Sequence, residues 1–133
     1  MDRGWQETLN PITLMPWTSR EEYTLFWQLP QHQREQLIQA EKNRICGSIP
    51  GESCSPKKVN PKRLDKVPCS AAKHRIQAIQ NCLNIRQFIQ DECFEGMPDE
   101  PHTRAMSELK SGIAHCLALE ARNCAPGHPM SER

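Results

Sequence analysis

The chain is short of aromatic residues, at 5%, and it has no apolar run approaching the roughly 20 residues that a membrane-spanning helix needs. It is also nearly without net charge, at +1 from 17 basic and 16 acidic residues, so no global field steers it toward nucleic acid or an anionic membrane. No glycine-rich phosphate loop, G-x-S-x-G elbow or H-E-x-x-H zinc motif occurs, which removes the easily read nucleotide-binding, serine-hydrolase and metalloprotease classes. The polar stretch Met1 to Asn10, with Trp5 inside it, lacks the apolar core of a signal peptide. With a mean hydropathy of -0.72 and 37% hydrophobic residues, a chain of 133 residues suits one domain with a modest core, or one domain plus an extension.

What the chain does have is cysteine. Cys46, Cys54, Cys69, Cys82, Cys93, Cys116 and Cys124 lie in a stretch that otherwise reads as amphipathic helix. Zinc sites are usually built from tight pairs such as C-x2-C, and the shortest gaps here hold seven residues, so the spacing favours disulfides over zinc. Disulfides imply an oxidising destination. The missing export signal is reconciled with that destination if the chain belongs to a larger exported protein or if a dedicated secretion machine carries it.

Trp5, Trp17, Tyr23, Phe26 and Trp27 all precede residue 28, whereas only Phe88 and Phe94 come later. Residues 1-29 therefore read as an aromatic arm folded onto a helical body, or as a docking segment for a delivery protein. Ser19 and Glu22 form an S-x-x-E capping box for a short helix to Gln28. Pro30 suits the first turn of a second helix, Gln31 to Ile45, which Gly47 stops. The proline-rich stretch 47-68 is a loop that Cys46, Cys54 and Cys69 are placed to pin.

A third helix is expected from a Ser70 cap to about Glu95, with Ile76, Ile79, Cys82, Leu83, Phe88, Ile89 and Cys93 as its apolar stripe. Gly96-Met97-Pro98 breaks it, and Asp99 caps a fourth helix to about Asn123, with Met106, Leu109, Ile113, Cys116, Leu117 and Leu119 buried. The expected fold is all-α: a small disulfide-stapled helical domain with an antiparallel hairpin of residues 70-95 and 99-123, plus the N-terminal arm. Residues 30-124 form the Cys-rich domain and 125-133 a flexible tail. Reflection through the turn pairs Cys82 with Cys116 and Cys69 with Cys124, leaving Cys93 to reach Cys46 or Cys54 and one cysteine over.

Among the histidines, His74 and His128 read as surface or tail and His115 as a partly buried helix residue. His102 differs, because it follows a sharp turn at a helix start beside Asp99 and Glu100. A helix N-terminus favours neutral imidazole, which suits a general base. The run from Lys57 to Arg75 holds seven basic residues against Asp65 alone, and such a loop could hold phosphate, although no aromatic residue interleaves with it for base stacking.

The stretch Cys82-Leu-Asn-Ile-Arg86-Gln-Phe-Ile89-Gln-Asp-Glu-Cys93-Phe94, followed by Asp99 and His102, resembles the novel toxin 16 family of bacterial polymorphic-toxin domains. Cys116 matches a later helix ending in cysteine, and His32, Cys46, Cys54 and Cys69 fall in the family's upstream order, so the likeness spans residues 30 to 124. The resemblance implies a toxin or effector domain delivered into a competing bacterium, as part of a larger toxin polypeptide or on a secretion-system carrier, and neutralised by a cognate immunity protein. It also implies a nuclease acting on RNA, cofactor-free and metal-free in the first scheme, with metal-dependent action through His102 and Asp99 left open. In that first scheme His32 and His102 serve as acid and base with Asp99 beside them, and Arg86 with Lys62 or Arg63 steadies the phosphate. Two other classes stay open. One is an envelope hydrolase working in the target's periplasm, which suits disulfides better than a cytoplasmic target does. The other is a non-enzymatic disulfide-stapled binding module, although twin C-x9-C pairs are absent, the gaps being ten and seven.

Overall fold

The computed structural model describes residues 2–93 and 100–131, with backbone alone for Asp2, Arg3, Glu92 and Cys93. The turn expected at Gly96-Met97-Pro98, Phe94 and the Asp99 cap lie outside the described residues. Five α-helices and a 3-10 turn at Asp2–Glu7 make up the described fold, with no β-strand among the described residues. They are α1 (Arg20–Gln28), α2 (Gln31–Cys46), α3 (Pro61–Leu64), α4 (Cys69–Cys93) and α5 (Glu100–Asn123). None of the described helices is long and apolar enough to cross a membrane.

Local chemistry sets the helix ends. Ser19 Oγ accepts from Glu22 N at 3.1 Å and starts α1, but the reciprocal half of the expected box is displaced. The Glu22 carboxylate instead accepts from Thr18 N at 2.8 Å and from Asn10 Nδ2 at 2.9 Å, which ties the N-terminal segment to α1. Pro30 sits one place before the first turn of α2, its carbonyl accepting from Gln33 N and Arg34 N. Gly47 closes α2, and a Cβ there would stand 2.8 Å from Asn43 O, so glycine is required for that stop. Helix α4 starts one residue earlier than expected, because Ala72 N donates to Pro68 O and Ser70 lies inside the first turn.

The stretch 47–68 is a strap rather than a plain loop. Asn60 caps the one-turn helix α3, with Oδ1 accepting from Lys62 N at 2.8 Å, and this helix was not anticipated. The strap buries Cys54 and Leu64 against Ile79, Cys116 and Leu119, and Val59 and Val67 pack on the same cluster. A second cluster joins Trp17, Phe26, Ile38, Ile85 and Ile89, so α4 serves both cores. The aromatic arm packs into this second cluster through Trp17, whose ring meets Tyr23 at 5.2 Å and Phe26 at 5.7 Å, and Trp27 reaches Phe88 at 6.3 Å. Arg34 lies 5.2 Å over the Trp27 ring and donates to the carbonyls of Trp27 and Leu29, locking α1 to α2.

The hairpin of α4 and α5 is antiparallel: Cys69 is bonded to Cys124, and a Cβ at Gly112 would sit 3.5 Å from Ile79 Cδ1. The other two bridges differ from the expected pairing. Cys82 is joined to Cys46 and Cys116 to Cys54. The observed register sets Cys82 opposite about residue 110, so Cys116 stands about six residues, roughly 9 Å, further along α5. Cys82 faces α2 and Cys116 faces the strap, which takes away both partners expected for Cys93. With six cysteines in three bridges, the zinc alternative lacks the thiolates it needs. Leu117, expected in the core, is 50% exposed. The C-terminal segment is tied down through Cys69 N donating to Met130 O at 3.0 Å, rather than hanging free from residue 125.

The bridging arithmetic is directly testable. Seven cysteines less the six in bridges leave Cys93, so denatured, unreduced protein should take up one alkyl group by intact mass. Reduction first should raise the uptake to seven, one for each cysteine in the chain. Uptake of three before reduction would mean that one of the bridges does not form.

Candidate functional site

A cleft of about 270 Å³ opens between the end of α2, the strap, α4 and α5. Its floor on α4 is Arg75, Ile79, Cys82 and Arg86, and its α5 wall is Ala105, Glu108, Leu109 and Gly112. The α4 residues recur at four, seven and eleven positions from Arg75, which is one stripe of an α-helix. Ala105 and Gly112 add little bulk, so the two helices can pack while leaving a groove between them. Lys58 reaches in from the strap, and Cys46, bridged to Cys82, closes the α2 side.

The charges in this cleft are unevenly met. Arg86 is half-buried, and its Nε is sealed from water with no acceptor. Arg75 donates through Nη1 to Pro50 O at 2.8 Å and Gly51 O at 3.0 Å, while its Nε is buried without an acceptor. Burial pulls the Arg75 guanidinium below its ordinary range. Lys42, on α2, is pulled down as well, first by burial and then by the charge of Arg86. Glu108 lines the same cleft but forms no salt bridge with any of these cations among the described residues. Three cationic side chains and one carboxylate therefore converge on a space that no side chain fills.

The other expected site residues are spread out. Lys62 and Arg63 lie on α3 and are exposed, and Arg63 pairs with Glu52 across the strap. Arg63 lines a separate depression of about 300 Å³ with Lys66, on the far side of Arg75. His32 is exposed in the first turn of α2. His102 is buried, at 8% exposure, in the first turn of α5. Cys46 at the end of α2 is bonded to mid-helix Cys82, and Ile38 packs with Ile85 and Ile89, so α2 runs antiparallel to α4. Both histidines therefore lie toward the end of the bundle where α4 finishes, yet neither lines the Arg86 cleft. Asp99 lies outside the described residues.

No family model, curated protein or solved structure matches the chain. The site rests on its own geometry. Of the residues expected to meet phosphate, only Arg86 is in the cleft. Arg75 and Lys58 belong to the basic run already visible in the sequence, but nothing there set them apart from Lys62 and Arg63. The available signal was the helical spacing of Arg75 with Cys82 and Arg86. Glu108 carried no signal, because charged residues on helices are ordinarily solvated.

Proposed function

We propose that the chain is a secreted toxin or effector domain of the kind used between bacteria, with RNA as its substrate class. The observation that carries the secreted part is the set of three bridges, which pin the start, middle and end of the strap and fit an extracellular or secreted protein. The toxin part is supported by the resemblance of residues 82 to 102, in which Arg86 is the one matched charged residue that lines the cleft. An immunity protein and a delivery partner belong to the same reading.

Expression in a bacterial host whose cytoplasm is kept oxidising so that the bridges form, once in that cytoplasm and once behind an export signal, tests it. Killing from the cytoplasm with loss of RNA is the expected result, and Arg86→Ala should abolish it. Killing only from the periplasm would replace RNA with an envelope substrate. A second reading, a non-enzymatic binding module, is favoured by His32 and His102 both standing outside the cleft. Absence of killing from either compartment would select it. Undiminished killing by the His32→Ala, His102→Ala double variant would remove those histidines from any mechanism.

A further inference from the structure

The cleft's charge pattern specifies a ligand more narrowly than a basic surface does. Half-buried like charges are costly to hold together unless something compensates them. Lys42 and Arg86 are close enough for one to disfavour charge on the other, and no carboxylate pairs with Arg86 among the described residues. Lys58 likewise forms no ion pair among the described residues. An anion seated between Arg86, Arg75 and Lys58 would supply the missing compensation, and guanidinium groups suit the oxygens of a phosphate. Glu108 adds the discriminating feature. A carboxylate on the wall repels a bare anion, but it accepts a hydrogen bond from a hydroxyl held next to that anion.

We infer that the cleft is a binding site for a phosphate ester bearing a neighbouring hydroxyl, the phosphate on Arg86, Arg75 and Lys58 and the hydroxyl donating to Glu108. RNA presents this pair at every 3′-phosphate, and the 2′-hydroxyl is what separates it from DNA. The inference deepens the toxin reading and rests on it for RNA as the source of the ligand. The strap makes the site as much as the helices do, because Lys58 and the carbonyl clamp on Arg75 both come from it.

The test is a titration of the oxidised, full-length protein at low salt, following its amide resonances. Inorganic phosphate, uridine 3′-phosphate and 2′-deoxyuridine 3′-phosphate are the probes. Saturable shifts are expected at α4 and α5, with the ribose form binding more tightly than the deoxy form. Arg86→Gln should weaken phosphate binding at least about tenfold, as the loss of a charged hydrogen-bonding partner implies. Lys58→Gln, on an exposed side chain that leaves the fold alone, should weaken it in the same direction. Glu108→Ala should tighten inorganic phosphate and erase the ribose preference. No saturable binding, or binding unchanged by both cation variants, overturns the site. Equal binding of the two nucleotides overturns the role of Glu108. Phosphate binding without toxicity would leave the site standing and remove the toxin reading, and toxicity without phosphate binding would do the reverse.

Discussion

Replacing Cys54 and Cys116 together by alanine should lower the free energy of unfolding by about 2–5 kcal/mol, and full reduction should leave the chain unfolded at about 37 °C. The bridge between them spans 62 residues, and both sulfurs lie in the core, at 5% and 0% exposure. Loop length alone does not single this pair out. The Cys46–Cys82 bridge spans 36 residues. Closing the longer loop differs from closing the shorter by only about 0.5 kcal/mol. Packing makes the difference. Cys54 holds the middle of the strap onto Ile79 and Leu119, and Leu64 and Val59 pack there only while the strap stays down. Urea unfolding checks this: the midpoint should fall, and the slope should rise because the unfolded chain expands. An unchanged midpoint would mean that the strap is held without the bridge.

The three bridges also cross one another in sequence, joining residues 46 to 82, 54 to 116 and 69 to 124. Each therefore closes a shorter effective loop when the others are present, so the second and third removals should cost differently from the first. The crossing has a functional side. Cys46 and Cys82 form part of the cleft wall, and Lys58 approaches Arg86 only from a strap held at both ends. Loss of the bridges and loss of the cleft are one event, which bears on any target inside a reducing cytoplasm.

Helix positions were legible because short-range chemistry sets them. Ser19, Gly47 and the breaks around Pro30 and Pro68 act on their own neighbours, and the ends of α1, α2 and α5 fall within a residue or so of expectation. The one-turn helix α3 carried a good local signal too, Asn60 capping Pro61, but four residues are too few for apolar periodicity to show. Bridge pairing was less legible. Cys69–Cys124 follows from the hairpin alone, whereas Cys82 and Cys116 lie on α4 and α5 facing different neighbours. Three bridges drawn from seven cysteines admit about 105 pairings, seven choices of the odd cysteine times 15, and the position of the strap decides among them. Ile85, fully buried, was missing from the expected stripe because α4 buries more than one face, in one core beneath the arm and another beneath the strap. The cleft was hidden for a related reason: it exists only where segments far apart in sequence meet.

Asn123 should prove the most sensitive polar position. It is fully buried at the end of α5, and its Nδ2 donates to Leu64 O and Val67 O, each at 2.9 Å. Leu64 O, at the end of α3, also accepts from Val67 N at 3.2 Å, whereas the amide of Asn123 is the donor that meets Val67 O on the descent to α4. Asn123→Leu keeps the branched shape but leaves Val67 O unmet, at about 1–3 kcal/mol, and takes from Leu64 O one of its two donors. Asn123→Asp should be worse at neutral pH, because a carboxylate would face two carbonyl oxygens at a fully buried position, with Arg122 Nε, 3.3 Å from Oδ1, offsetting only part of that cost. It should recover as the pH falls: repulsion and burial raise the folded pKa of the introduced carboxyl, and below it the protonated group donates again. The contrast separates a hydrogen-bonding role from simple packing. Thermal melts at about pH 4 and pH 7 should bring the Asn123→Asp variant toward the parent only at the lower pH, after correction for the parent's own shift. The Asn123→Leu variant should stay equally low at both. Equal losses for the two substitutions at both pH values would assign Asn123 to packing alone, and the strap would then be held to α5 by its sulfurs and Leu64 rather than by this amide.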